Sequence, residues 1–180
     1  MREPLTVAVA QPLCVSHDLQ ANATAHAAAI RAANADVVIF PELSLTGYEL
    51  DAEPVSLDDP LLTPIVDACA DTGSLALIGA PVETERGRSH IAIVGIDGAG
   101  ATVRYSKIWL HGTEAERFSP GLEPAVIEVR GWRLGLAICR DTGVAQHAAD
   151  TAALGIDAYV AGVAETADRA DVQDERARER

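Results

Sequence analysis

Val37-Val38-Ile39-Phe40 is an unbroken apolar run closed by Pro41. A strand that is apolar at every position has no face to give to water, so it belongs to a sheet covered on both sides. The rest of the chain supplies the covering elements. Leu5 to Ala10 reads as a buried strand, and Asp18 to Ala33 as an Ala-rich helix. Leu61 to Asp71 reads as a second helix, stopped by Gly73, and Leu75 to Gly79 as the next strand. Ile91 to Ile96 and Thr102 to Ile108 flank Asp97-Gly98 and predict a hairpin. Ala125 to Val129 and Leu134 to Ile138 make another pair around Gly131, followed by a helix over Val144 to Leu154 and a strand over Ala158 to Val163. The order β-α-β-α-β, hairpins, β-α-β predicts an α/β fold with mixed sheets and outer helices.

Composition narrows the class. Apolar residues make up 48% of the 180 positions, much of it alanine, and aromatic residues only 4%, so one domain over 1–180 with a tight aliphatic core is expected. The net charge of −13 argues against nucleic acid and against anionic membranes as partners. No apolar stretch approaches the roughly 20 residues of a membrane span. The opening residues Met1 to Pro4 lack the pattern of a signal peptide, which makes a cytoplasmic protein the expectation. The tail from Asp168 to Arg180 is highly charged and reads as a solvated helix; an apolar core that stops there looks unfinished.

Three polar side chains stand where apolar strands end. Cys139 closes Gly135-Leu136-Ala137-Ile138, at a strand-to-helix turn. Ligands of α/β folds bind beyond the carboxyl ends of strands, so a thiol there is either an exposed nucleophile on a rigid base or a buried structural cysteine. The Arg140 amide would point to the same place and could help bind an oxyanion. Glu42 follows Phe40-Pro41 directly and reads as a general base with a raised pKa or as a cap or loop charge. Lys107 ends a third strand, as an oxyanion or thiolate partner or as a solvated lysine. Together the three could supply base, oxyanion partner and nucleophile for acyl transfer.

Other candidates are weaker. His147 lies eight residues past Cys139, about 12 Å along a helix, too far for a Cys–His dyad unless the chain folds back. His111 reads as a pocket or surface residue, and Asp141 as a helix N-cap rather than a catalytic acid. Cys14 and Cys69 read as packing residues, and Ser44 and Ser106 lack the context of a nucleophilic serine. No cysteine or histidine pair has structural-zinc spacing, so no metal site is expected.

Phe40-Pro41-Glu42-Leu43-Ser44-Leu45-Thr46-Gly47-Tyr48, Tyr105-Ser106-Lys107 with Glu114 and Phe118-Ser119-Pro120-Gly121, and Gly135 to Asp141 together resemble the signature of the carbon–nitrogen hydrolase family, the nitrilase-like amidases. The opening strand with Ala10-Gln11 also matches, so the resemblance covers nearly the whole chain. It implies an α-β-β-α sandwich with two mixed sheets between outer helices. It implies Glu42 as general base, Cys139 as nucleophile, Lys107 as partner of the tetrahedral intermediate and Glu114 as a second active-site glutamate, with Glu116 as a competitor for that place. Tyr48, Arg140 and Asp141 fall at substrate-binding positions. The implied reaction is hydrolysis of a small amide or N-carbamoyl compound through a thioester, with no metal or organic cofactor, in a homodimer or larger homo-oligomer.

The chain departs from the pattern after Cys139. Many members continue with an aromatic residue, Asp and then Arg-Phe-Pro-Glu; here Arg140-Asp141-Thr142-Gly143-Val144-Ala145-Gln146-His147 stands instead. Members usually exceed 200 residues, so the last strands of the fold are expected to be missing at the C-terminus. A non-catalytic binding module and acyl transfer to an amine are the alternatives to hydrolysis.

Overall fold

The computed structural model describes residues 2–83 and 87–179. Met1 and Arg180, both included in the sequence reading, lie outside the described residues. Two sheets lie face to face. The first contains β1 (Val7–Val9), β2 (Val37–Ile39), β3 (Leu75–Glu83), β4 (Ser89–Asp97) and β5 (Gly100–Ser106) in that order. Its first three strands are parallel, and β4 and β5 complete it as antiparallel neighbours. The second contains β6 (Ala125–Val129), β7 (Trp132–Ile138) and β8 (Ala158–Gly162), with β6 antiparallel and β8 parallel to β7.

Helices α1 (Leu19–Ala33) and α2 (Thr63–Thr72) cover the outside of the first sheet. Asp18 caps α1 by accepting from the Ala21 amide at 2.9 Å. Gly73, at φ 69°, stops α2 in the left-handed conformation that glycine adopts without steric cost. Alternate strand residues then serve two cores. Val38, Ala76 and Ile78 pack outward against Ala27, Ile30, Ile65 and Ala68 of the helices. Val37, Ile39 and Leu77 pack inward against Leu134, Leu136 and Ile138 of the second sheet. A short helix, α3 (Gly112–Ala115), follows β5. Helix α4 (Ala145–Ala153) lies on the far side of the second sheet, where a Cβ on Gly135 would stand 2.5 Å from Thr151 Cγ2. The layers are therefore α-β-β-α, and the unbroken apolarity of β2 follows from cover on both faces.

The predicted hairpins, helices and strands form, with their ends moved by a few residues. The first strand is a correction. It was expected to be buried, but Val7 is 46% and Val9 76% exposed. β1 is an edge strand, and its register with Val37 and Ile39 turns Val7 and Val9 toward the second sheet. That sheet ends at β8, which packs near β3, and among the described residues no strand lies beyond it to cover β1. Helix α5 (Ala170–Glu179) is largely exposed, as expected of the charged tail, with Gln173 and Arg176 half-buried. Among the described residues no helix is long and apolar enough to cross a membrane.

Candidate active site

β2, β5 and β7 end close together, and each presents one polar side chain. The first is Glu42. Its loop leaves β2 at Pro41, passes through Leu43 at φ 49°, and closes in a 3-10 turn over Ser44–Thr46. Two buried polar residues of α1 hold it: His26 Nε2 meets Ser44 Oγ at 2.9 Å, and Asn22 Nδ2 donates to Leu45 O at 3.0 Å. Sequence reasoning missed both, although polar side chains among the alanines of a buried helix face were a visible signal. Gly79 of β3 lies against this loop, where a Cβ would stand 2.4 Å from both Leu43 N and Pro41 O. Gly79→Ala is expected to displace Glu42 and to cost about 1–3 kcal/mol. Urea denaturation measures the cost, and unchanged stability with unchanged activity would refute this account of the loop.

The second is Lys107, which follows β5 and is fully buried. Its ammonium donates to Glu42 Oε1 at 2.6 Å and to both oxygens of Glu114 at 2.8 Å. Burial works against its charge, yet the two glutamates hold its pKa above the ordinary lysine value. Glu114 is placed by α3, where its Oε2 also accepts from the His111 amide at 2.8 Å. Glu116 is exposed, so burial and the lysine contact single out Glu114.

The third is Cys139. It lies at φ 41°, a left-handed conformation rarely taken by non-glycine residues, and it starts the 3-10 turn Cys139–Gly143. Asp141 is buried beneath this turn. Its Oδ2 accepts from the Ile138 amide at 3.0 Å and from the Tyr105 hydroxyl at 2.7 Å, and its Oδ1 accepts from the Trp109 amide at 2.9 Å. Thr142 Oγ1 donates to Cys139 O at 2.7 Å. The bend that aims the thiol is thus tied down from both sides.

The electrostatics set Glu42 and Cys139 far apart in pKa. Burial raises the Glu42 pKa to about 7, against the pull of Lys107 and with the push of Glu114. Burial pushes the Cys139 thiol up to about 12, helped by the Glu42 carboxylate. Glu42 Oε2 is buried without a hydrogen-bond partner, while the carboxylate and the Cys139 thiol bear on each other's titration. A buried, unpaired carboxylate oxygen beside a protonated thiol is a place where a proton can be received.

A pocket of about 230 Å³ opens over the thiol. Tyr48, Leu50, His111, Thr113 and Glu114 line it. Ala164, Glu165, Arg169 and Arg176 line it as well, none of which the sequence reading placed at the site. Tyr48 and His111 both line this pocket. Asp141 does not: it was expected to touch substrate, but its carboxylate is spent on the turn. Arg140 is exposed, outside the pocket wall, with Nη1 3.1 Å from His111 Nδ1.

His147 makes no dyad with Cys139. Its Nε2 lies 2.8 Å from the Tyr105 hydroxyl oxygen and its Nδ1 2.7 Å from that of Tyr159. Because the Tyr105 hydroxyl donates to Asp141, His147 must donate through Nε2 and accept through Nδ1, the neutral tautomer that burial also favours. Cys14 and Cys69 are free thiols away from the site, and Cys69 is buried in the helix–sheet core.

The hydrolase in the pqqF 5′ region of Pseudomonas protegens is 31% identical over 163 residues, covering 86% of this chain and 56% of that protein. An (R)-stereoselective amidase of a Pseudomonas species is 28% identical over 141 residues, covering 76% of this chain and 51% of that protein. The chain thus spans about half the length of these curated relatives. Among solved structures, a CN-hydrolase superfamily protein of Xanthomonas campestris superposes with a TM-score of 0.82 at 19% identity, over 97% of this chain and 70% of that one. An amidase from Nesterenkonia sp. gives 0.80 at 22% identity, over 96% and 70%. The family profile of the carbon-nitrogen hydrolases runs over residues 6–178, from before β1 into the last turn of α5, and on that match the chain belongs to the carbon-nitrogen hydrolase family.

Proposed function

We propose that this chain hydrolyses the carbon–nitrogen bond of a small amide or N-carbamoyl compound through a thioester on Cys139. The single observation that carries the reading is the unpaired buried oxygen of Glu42 beside the Cys139 thiol, with Glu42 held on its other oxygen by Lys107. The Cys139 sulfur attacks the carbonyl carbon while Glu42 Oε2 takes the thiol proton. Lys107 stabilises the oxyanion by its charge, because its three donor hydrogens are already engaged by Glu42 and Glu114. Glu42 passes the proton to the leaving nitrogen, and ammonia or an amine departs. Glu42 then takes a proton from water, which attacks the thioester, and returns it to the departing Cys139 sulfur as the acid is freed.

The pocket volume supports a small substrate: about 230 Å³ is some seven or eight waters at roughly 30 Å³ each. The amidase named among the relatives supports an amide. Association into a homo-oligomer belongs to the same proposal.

Ammonia release from a panel of small amides, measured against pH, tests the reading. Glu42 must be ionised to accept the thiol proton, and its pKa stands at about 7. kcat/KM is therefore expected to fall about tenfold per pH unit below 7 and to level off above it. Glu42→Gln removes the acceptor and is expected to abolish turnover. A rate independent of pH between 5 and 8, or no release from any amide as the rival binding-module reading requires, would overturn the proposal.

A further inference from the structure

Arg176 departs from the solvated character of the tail. It comes from α5, is half-buried, and lines the pocket that holds Cys139. Its guanidinium rests on the turn that carries the thiol. A Cβ on Gly143 would stand 3.1 Å from Arg176 Cζ and 3.2 Å from both Nε and Nη2. A Cβ at 143 would press the guanidinium back by a few tenths of an ångström, so the glycine leaves room for this close approach.

Of the two arginines that line the pocket, Arg176 is the one without a carboxylate partner. Lys107 is engaged by Glu42 and Glu114. Arg169, the other arginine of the wall, lies 3.5 Å from Glu165. Among the described residues no carboxylate pairs with Arg176. An unpaired guanidinium in a small pocket attracts an anion, and its planar fork suits a carboxylate held by two parallel hydrogen bonds. The nearby Glu165 disfavours a dianion in the same place.

We propose that Arg176 is the specificity residue of this pocket, binding a carboxylate carried by the substrate a few atoms from the scissile carbon. The substrate class is then ω-amido acids and N-carbamoyl amino acids rather than neutral amides. This inference rests on the hydrolase reading for its chemistry, but not for its binding.

The test separates the two. Calorimetry on Cys139→Ala measures binding of unreacted succinamate and of its neutral counterpart butyramide. Succinamate is expected to bind about 10- to 100-fold tighter, the worth of one or two charge-assisted hydrogen bonds. Adding Arg176→Gln should collapse that ratio toward one, and Arg176→Lys should keep part of it. Arg176→Glu should reverse it in favour of 4-aminobutyramide, whose ammonium replaces the carboxylate; a reversal cannot come from mere loss of folding. In the chain with Cys139 intact, the ratio of kcat/KM for succinamate over butyramide should follow the same order, with the change mainly in KM. Equal binding of the two amides to Cys139→Ala, or a ratio unmoved by Arg176→Gln, would overturn the inference. Arg176-dependent binding without ammonia release would support the anion site and refute the hydrolase.

Discussion

Cys139→Ala is expected to remove turnover altogether, by at least about 10⁴ in kcat, while leaving the fold in place. Loss of the attacking atom in a nucleophile–base pair typically costs that much or more, because the remaining groups have nothing to activate. No other thiol in the chain can take over. Cys69 is buried between α2 and the first sheet, where desolvation drives its pKa to about 11, and its sulfur is turned to Ile96 O at 3.3 Å. Cys14 lies in the segment between β1 and α1, with its sulfur 3.4 Å from Pro12 O. The structural cost is small by comparison. Alanine tolerates the turn no worse than cysteine, and the Asp141 and Thr142 hydrogen bonds that shape it run to the backbone and to Tyr105. About 1 kcal/mol of lost packing is expected from deleting one buried sulfur. Ammonia release and a urea melt check both halves. Turnover within tenfold of the unmutated chain would end the nucleophile assignment, and so would an acyl adduct mapped by mass spectrometry to any residue but Cys139.

Features that lie along the chain are legible in its sequence, and features that join distant segments are not. The apolar runs over Val37–Phe40 and Leu134–Ile138 announce strands, with Glu42 and Cys139 just past their ends. The choice between Glu114 and Glu116 is different, since it depends on which one a four-residue helix turns inward against Lys107. The support beneath Cys139 is hidden because it joins four segments: Tyr105 on β5, Asp141 in the turn, His147 on α4 and Tyr159 on β8. In sequence each looks like an isolated polar residue. The burial of β1 is misread for a related reason. Apolarity shows that a strand wants cover, not whether a neighbouring strand supplies it, and Val9 remains 76% exposed. Arg176 sits among charged neighbours with no apolar stripe on its helix, and nothing along the chain shows that this helix returns to lie beside Gly143 at the pocket.

The largest effect on stability is expected from Lys107→Met. The ammonium is the single cation shared by two buried carboxylates, and the replacement keeps the side chain's length while deleting the charge. Removing one partner of a buried ion pair leaves the other uncompensated and typically costs about 3–5 kcal/mol. Here that cost should depend on pH in a definite sense. Lys107 holds the Glu42 pKa down, so without it the pKa moves above about 7, further from the ordinary 4.5 of a free glutamate. A carboxyl whose folded pKa lies above its unfolded one retains its proton in the folded state after the unfolded chain has released it. Stability is then greatest below about 4.5 and is lost as pH rises through the folded pKa. The deficit of Lys107→Met relative to the unmutated chain should accordingly be smallest near pH 5 and largest near pH 8. Adding Glu42→Gln and Glu114→Gln should recover much of the stability, because neutral amides need no cation, and should recover none of the activity. A single variant that melts in urea with the unmutated chain at pH 8, or a deficit that grows as pH falls, would show that Lys107 does not hold these two carboxylates in the fold.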